Sequence, residues 1–113
     1  MQNNKTAPLA LFVYNRLSKL KKTIEYLSKN LLSKKTTLYI FSDGPKDYED
    51  IKKINNIRKY IRQIKNFRKI IIIENKKNFG LGNSIIRGVN EIFKYHNRVI
   101  VLEDDLLTNK FFL

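Results

Sequence analysis

Four short runs of apolar residues recur along the chain. They cover residues 9–14, 38–41, 70–73 and 99–102, and none of them alternates with polar positions. Continuous apolar runs of this length are typical of strands that are buried on both faces, as in a parallel sheet. The pattern therefore predicts four strands that lie side by side inside one sheet.

Between these runs, apolar residues recur at spacings of three and four. The three stripes consist of Leu17, Leu20, Ile24, Leu27 and Leu31, of Ile51, Ile54, Ile57, Ile61 and Ile64, and of Leu81, Ile85, Val89, Ile92 and Phe93. This spacing places each stripe on one face of a helix and leaves Lys, Arg and Asn on the other face. We therefore expect three amphipathic helices that pack against the sheet.

The predicted order of elements is βαβαβαβ. Short connections and right-handed crossovers turn this order into an open, mainly parallel α/β sheet with helices on both faces, a Rossmann-like arrangement. Residues 1–113 show no repeat and no linker, so we expect a single domain. Residues 107–113 indicate the start of an incomplete following segment, with Thr108 or Asn109 as a helix cap. We therefore expect the chain to be the front part of a longer protein, either shortened or an interrupted gene product.

Composition excludes several classes of site. The chain has no Cys and one His, so it cannot build a disulfide framework, a thiolate site or a multi-histidine zinc site. No apolar run approaches the ~18 residues of a transmembrane helix. The first six residues also lack a secretory h-region. We therefore expect a cytoplasmic protein.

The charge of the chain is strongly basic. Lys and Arg number 23 against 10 Asp and Glu, which gives a net charge of +13. A basic surface attracts nucleic acid, acidic partners or the anionic inner face of a cell membrane. The lysines are spread along the chain, however, and Asn and Ile are abundant too, as AT-rich codon usage would produce. A solvated, Lys-rich surface is therefore the simpler interpretation of the charge.

Residues that suit ligand binding follow each of the four predicted strands. They are Tyr14, Asn15 and Arg16, then Asp43, then Asn78, Gly80 and Gly82, and finally Glu103, Asp104 and Asp105. The carboxyl ends of parallel strands meet at one edge of a sheet, which is where ligands bind in open α/β folds. We therefore expect these residues to form one site.

The three adjacent carboxylates after the fourth strand repel one another unless a cation lies among them. Mg²⁺ and Mn²⁺ prefer such oxygen ligands and leave positions open for substrate phosphates. Arg16 could pair with a phosphate, and Asp43 could accept a hydrogen bond from a nucleobase or a ribose. The alternatives are a solvated acidic turn, a surface arginine and a turn-forming aspartate.

The two glycines Gly80 and Gly82 begin like a GxGxxG motif, but Ile85 stands where the third glycine would be. The chain also lacks a GxxxxGK[ST] loop, so a dinucleotide site or a P-loop is not expected. We expect instead that the glycines let the loop turn into a helix at Asn83 or Ser84. Backbone N–H groups at a helix start favour an anion.

Four segments together resemble the nucleotide-sugar-binding half of a GT-A-fold glycosyltransferase. They are residues 8–16, residues 41–44, residues 78–82 with Arg87 and Gly88, and residues 101–106. The Glu-Asp-Asp form is similar to that of family 2-like and N-acetylglucosaminyltransferase I-like sugar transferases. The resemblance implies transfer of a sugar from a metal-bound sugar nucleotide, with a UDP-sugar favoured, to a glycan or lipid-linked acceptor such as a cell-surface glycan.

The resemblance also implies roles for single residues. The nucleotide pocket would be lined by Tyr14, Asn15 and Arg16, and the base would be contacted by Asp43. The ribose and diphosphate would be bordered by Asn78, Gly80, Gly82 and Arg87, and Asp104 would contact the ribose. The ion, Mn²⁺ or Mg²⁺, would be held by Asp105 and Glu103. In this family the acceptor site and, in inverting enzymes, the catalytic base lie beyond the acidic motif. The chain alone would then bind the donor without transferring the sugar, and its unfinished sheet edge would favour self-association.

Two alternatives remain open at this stage. A basic α/β binding module for nucleic acid or an acidic partner would have the same composition without catalytic activity. A nucleotidyltransferase also uses carboxylates and Mg²⁺, but it normally carries a Gly-rich, basic loop after its first strand, and residues 14–17 contain no glycine. Metal-dependent stabilisation by UDP would indicate the glycosyltransferase, whereas salt-sensitive binding of nucleic acid would indicate the binding module.

Overall fold

The computed structural model describes residues 6–30 and 32–104. Within these ranges the elements are β1 (Leu9–Val13), α1 (Leu17–Ser28), β2 (Thr37–Ser42), α2 (Asp50–Ile61), β3 (Lys69–Glu74), α3 (Leu81–Ile92) and β4 (Ile100–Glu103), with a 3₁₀ turn at Ser33–Lys35. The predicted α/β class and the order βαβαβαβ are confirmed. The expected segment 107–113 lies outside the described residues.

The four strands form one parallel sheet in the order β3-β2-β1-β4. In the register of the sheet, Leu11 of β1 lies between Ile40 of β2 and Leu102 of β4. The chain runs outward from β1 to β3 and then returns to the other side of β1. The direction of winding therefore reverses between β1 and β4, and at such a switch point the loops that leave neighbouring strands separate and form a crevice.

Two apolar clusters hold helices against opposite faces of the sheet. Leu9, Leu11 and Val13 of β1 belong to a cluster with α1 and α2. Ala10 and Phe12 belong to a second cluster with α3. All five β1 residues are buried, as the apolar run predicts. The prediction of helices on both faces is thereby confirmed.

The outer strands are less buried than the sequence pattern indicates. The four isoleucines of β3 are only half-buried, and Val101 of β4 is 38% exposed. Both strands lie at the edges of the described sheet, where fewer neighbours cover their side chains. The prediction that all four strands are buried on both faces is therefore wrong for β3 and β4.

All three helices end before their apolar stripes do, α3 by the single residue Phe93. α1 ends at Ser28 and α2 at Ile61, while Ile64 packs against the core from the turn that follows α2. Leu31, the last member of the first stripe, lies outside the described residues. Each of the three described helices has 12 residues, and none is long and apolar enough to cross a membrane.

The start of α3 differs from the prediction. The helix begins at Leu81, not at Asn83 or Ser84. The residue before it, Gly80, has φ 82° and ψ 158°. Only glycine adopts this region without strain, so the turn into the helix occurs at Gly80 and leaves Gly82 inside the first helical turn.

Gly88 sets how closely α3 packs on the sheet. A Cβ there would lie 2.9 Å from ring atoms of Phe12 and 3.1 Å from a ring atom of Phe41. The rings of Phe12 and Phe41 are stacked on each other, with their centroids 4.9 Å apart. Gly88→Ala should therefore lower the free energy of unfolding by about 1–3 kcal/mol, because the rings or the helix must move. Urea denaturation measures this loss.

Gly82→Ala is the matched control for Gly88→Ala on the same helix. Gly82 is exposed, and a Cβ there meets nothing within 4 Å. Alanine should stabilise the helix here by up to roughly 0.5–1 kcal/mol. Equal effects of the two substitutions would contradict the close contact at Gly88.

Candidate functional site

A cavity of about 360 Å³ opens at the carboxyl edge of the sheet. Its walls come from the ends of β1 and β4, the loops after β1, β2 and β3, and the start of α3. It therefore lies at the topological switch point, and its volume is within the range of small-molecule sites. The predicted site residues that line it are Tyr14, Asn15, Arg16, Asp43, Asn78, Gly80, Glu103 and Asp104.

Two of the predicted site residues that the structure describes do not line the cavity, and a third is not described. Gly82 is exposed on the first turn of α3. The Arg87 guanidinium lies 4.3 Å from the centre of the Phe79 ring, on the exposed side of the helix. Asp105 lies outside the described residues. The structure thus gathers the residues from all four loops but does not bring Gly82 and Arg87 into the wall.

Asp43 ties the end of β2 to the start of α3. Its Oδ1 accepts hydrogen bonds from the backbone N–H groups of Gly44 and Phe79, both at 2.9 Å. Its Oδ2 accepts one from the N–H of Gly80 at 3.0 Å. The residue is 7% exposed, and a carboxylate at a helix N-terminus is stabilised by the helix dipole. Asp43 therefore builds the wall of the cavity, and Oδ2 keeps capacity for a second hydrogen bond.

The loops after β2 and β3 also form hydrogen bonds with each other. The Asn78 side chain donates a hydrogen bond to the Gly44 carbonyl at 2.8 Å, and the Gly44 N–H donates to the Lys77 carbonyl at 3.2 Å. A Cβ on Gly44 would lie 2.5 Å from that carbonyl oxygen. The side-chain amide of Asn78 thus joins two loops through one hydrogen bond, and glycine is required at position 44.

Arg58 of α2 binds the backbone behind this wall. Its Nε donates to Ser42 Oγ at 2.9 Å, and its Nη2 donates to the carbonyls of Ser42, Asp43 and Asn75 at 3.1, 3.2 and 2.8 Å. Burial lowers the pKa of the guanidinium, which nevertheless stays protonated. Sequence reasoning missed Arg58, because an arginine on the polar face of a helix carries no sign that backbone carbonyls surround it.

Tyr14 and Asp50 form a hydrogen-bonded pair at the rim. The Tyr14 hydroxyl donates to Asp50 Oδ2, and Asn15 donates to Asp50 Oδ1 at 3.1 Å. Burial, followed by the bond to Asp50, raises the pKa of Tyr14 to about 12. The same bond lowers the pKa of Asp50. At neutral pH the phenol is therefore a donor and Asp50 a carboxylate.

This pair also fixes the backbone of Lys46, which lines the cavity. The backbone N–H of Lys46 donates to the Tyr14 hydroxyl at 3.1 Å, and Lys46 lines the cavity. Sequence reasoning missed both Asp50 and Lys46, since neither directly follows a strand. Arg16 lines the same cavity, so two basic residues border it together with two acidic residues of the motif.

Glu103 and Asp104 bring the acidic motif to the cavity. Glu103 lies opposite Phe12 in the register of β4 and β1, and the carbonyl of Asp104 accepts a hydrogen bond from Thr23 at 2.9 Å. Among residues 6–30 and 32–104, no three His, Cys, Asp or Glu side chains are close enough to hold a metal ion. An ion such as Mg²⁺ needs only one or two protein carboxylates when phosphates and water supply the rest. Glu103 lines the cavity and can supply one such carboxylate, while Asp105 lies outside the described residues.

Comparisons with known proteins do not extend these observations. No protein-family model matches the sequence, and neither a curated protein nor a solved structure matches it significantly. The resemblance to a glycosyltransferase therefore stays a prediction that depends on the residues and on the geometry of the cavity.

Proposed function

We propose that this chain is the nucleotide-sugar-binding part of a glycosyltransferase and that the cavity holds a nucleoside diphosphate sugar. One observation carries the proposal. Residues that sequence reasoning selected from four separate loops line a single cavity of suitable volume at the topological switch point. A basic surface alone would not require such a convergence.

Each wall of the cavity offers chemistry that such a ligand needs. Arg16 and Lys46 can donate charge-assisted hydrogen bonds to phosphate oxygens. Glu103, with Asp105, would hold Mn²⁺ or Mg²⁺, and an ion bound there neutralises charge on the departing nucleoside diphosphate. Asp43 Oδ2 can accept a hydrogen bond from the nucleoside, and Asp104 would contact the ribose.

The acceptor and the location are part of the same proposal. A glycan or lipid-linked acceptor would receive the sugar in the cytoplasm, at the inner face of the cell membrane. The net charge of +13 supports this location, because lysines near an anionic lipid surface are attracted to it.

The test is thermal unfolding with UDP, with and without MnCl₂. UDP at ten times its dissociation constant should raise Tm by roughly 5 °C when the metal is present, since binding to the folded state alone adds about 1.4 kcal/mol. EDTA should abolish the shift, and Glu103→Gln or Asp105→Ala should remove most of it. Glu25→Gln, an exposed change on α1, should leave the shift intact.

The opposite pattern would favour the binding module. If UDP and metal leave Tm unchanged while RNA binds with a steep dependence on salt, the proposal is contradicted. Insensitivity of RNA binding to Glu103→Gln would then place that function outside the cavity.

A further inference from the structure

We propose that the Ser84 hydroxyl is a ligand-binding group that recognises a ring hydroxyl of the bound nucleotide sugar. This inference rests on the proposed function and adds a residue to it. Ser84 lies in the first turns of α3 and lines the cavity. Nothing in the sequence singles it out as a binding residue, because serine near a helix start is usually a cap.

The hydroxyl of Ser84 is buried without a partner. The residue is 6% exposed, and its Oγ makes no hydrogen bond within the described ranges. Serine inside a helix often donates to the carbonyl four residues earlier, yet here the Gly80 carbonyl accepts only the Ser84 backbone N–H, at 2.9 Å. Buried hydroxyls are almost always paired, so an orphan in a cavity wall indicates a partner that the ligand brings.

The helix that carries Ser84 is fixed at two points. Asp43 accepts the N–H groups of Phe79 and Gly80 just before the helix begins. Four residues beyond Ser84, the missing side chain of Gly88 lets α3 lie against Phe12 and Phe41. These contacts hold the backbone of Ser84 beside the cavity, and rotation about its Cα–Cβ bond, which breaks none of them, would bring the buried Oγ to the ligand.

The ligand group that suits Ser84 is uncharged and can both donate and accept a hydrogen bond. A carboxylate, Asp43, already lies at this helix start, and a second anion beside it would be repelled. A hydroxyl can donate to Asp43 Oδ2 and accept from Ser84 Oγ, since both keep capacity. A Cβ at Gly80 would meet nothing within 4 Å, so the backbone leaves open space for a ring. That ring is the ribose or the transferred sugar.

Titration calorimetry with UDP and with UDP-glucose, both with MnCl₂, tests the inference on the whole chain. Ser84→Ala should raise the dissociation constant about 3- to 10-fold, the effect of one lost hydrogen bond. Without ligand the same variant should melt roughly 2–5 °C higher than wild type, because it removes an unpaired buried hydroxyl and favours the helix. A purely structural serine would give the opposite shift.

Ser28→Ala is the matched control. Ser28 ends α1, and its hydroxyl already donates to the Glu25 carbonyl at 3.1 Å. This variant should not raise Tm and should bind both nucleotides as wild type does.

The two ligands separate the sources of the ring hydroxyl. Weaker binding of UDP by Ser84→Ala assigns the contact to the ribose, and weaker binding of UDP-glucose alone assigns it to the sugar. Unchanged affinity for both ligands, or a lower Tm without ligand, overturns the inference while the proposed function stands. Failure of wild type to bind either nucleotide contradicts the proposed function itself.

Discussion

Asp43→Asn should remove a large part of the folding stability of this chain and abolish its response to nucleotide. We expect a loss of about 2–4 kcal/mol, against the roughly 5–15 kcal/mol typical of a domain. The variant keeps the shape of the side chain but turns one acceptor into an NH₂ donor. That donor would face a backbone N–H, either of Gly80 or of the pair Gly44 and Phe79.

The ligand response should disappear for a separate reason. Asp43 joins the end of β2 to the residues just before α3, so its loss releases the wall that carries Gly80 and Ser84. A cavity whose wall is free to move must be ordered when ligand binds, and this cost lowers the affinity.

Urea unfolding and the UDP melting shift measure the two effects. Glu49→Gln is the control, because it changes the net charge equally, from +13 to +14, at an exposed position before α2. It should alter stability by less than about 0.5 kcal/mol. If Asp43→Asn is as mild as Glu49→Gln, the three backbone hydrogen bonds do not anchor the loop.

The sheet could be predicted because the burial of β1 on both faces requires a continuous run of apolar residues, which is visible in the sequence. Its residues face two helical layers, so every position must be apolar, and all five are buried. A run of apolar residues does not distinguish a central strand from a strand at the edge of the sheet. The four isoleucines of β3 look like a central strand, but strand order depends on which helix crosses which face, and an apolar run does not encode that.

The convergence of the candidate site residues on one cavity could be predicted for a similar reason. Parallel strands deliver their carboxyl ends to one edge, so residues as distant as Tyr14 and Glu103 line one cavity without any local motif. The role of each of these residues was harder to infer from the sequence than its position at this edge of the sheet. The sequence suggested that Asp43 binds a ligand, yet its oxygens already accept hydrogen bonds from three backbone N–H groups.

The residues that sequence reasoning missed act through backbone groups or across the rim. Asp50 lies at the start of α2 and contacts Tyr14 only because the two loops meet in space. Gly80 and Gly82 look alike in the sequence, but only Gly80 has positive φ. Such distinctions depend on tertiary geometry, which spacing along the chain does not contain.

Arg58→Lys should be as damaging as the change at Asp43, even though it preserves the charge. One planar guanidinium serves three carbonyls and a hydroxyl at the ends of β2 and β3. An ammonium is a compact point charge and cannot reproduce this fork. Carbonyls left unpaired in a partly buried site should lower the free energy of unfolding by about 2–4 kcal/mol. The UDP shift should fall as well, since these carbonyls belong to the loops that form the wall.

Arg62→Lys, one helical turn further on, is the control that separates charge from geometry. Arg62 forms a bidentate ion pair with Glu74 at 2.7 and 3.0 Å, but its side chain is 58% exposed. Exposed ion pairs are screened by water and salt, so this change should lower stability by less than about 1 kcal/mol. Urea unfolding at low and high salt measures both variants. A larger loss for Arg62→Lys than for Arg58→Lys would mean that the surface ion pair, and not the buried contact with carbonyls, holds the ends of β2 and β3 together.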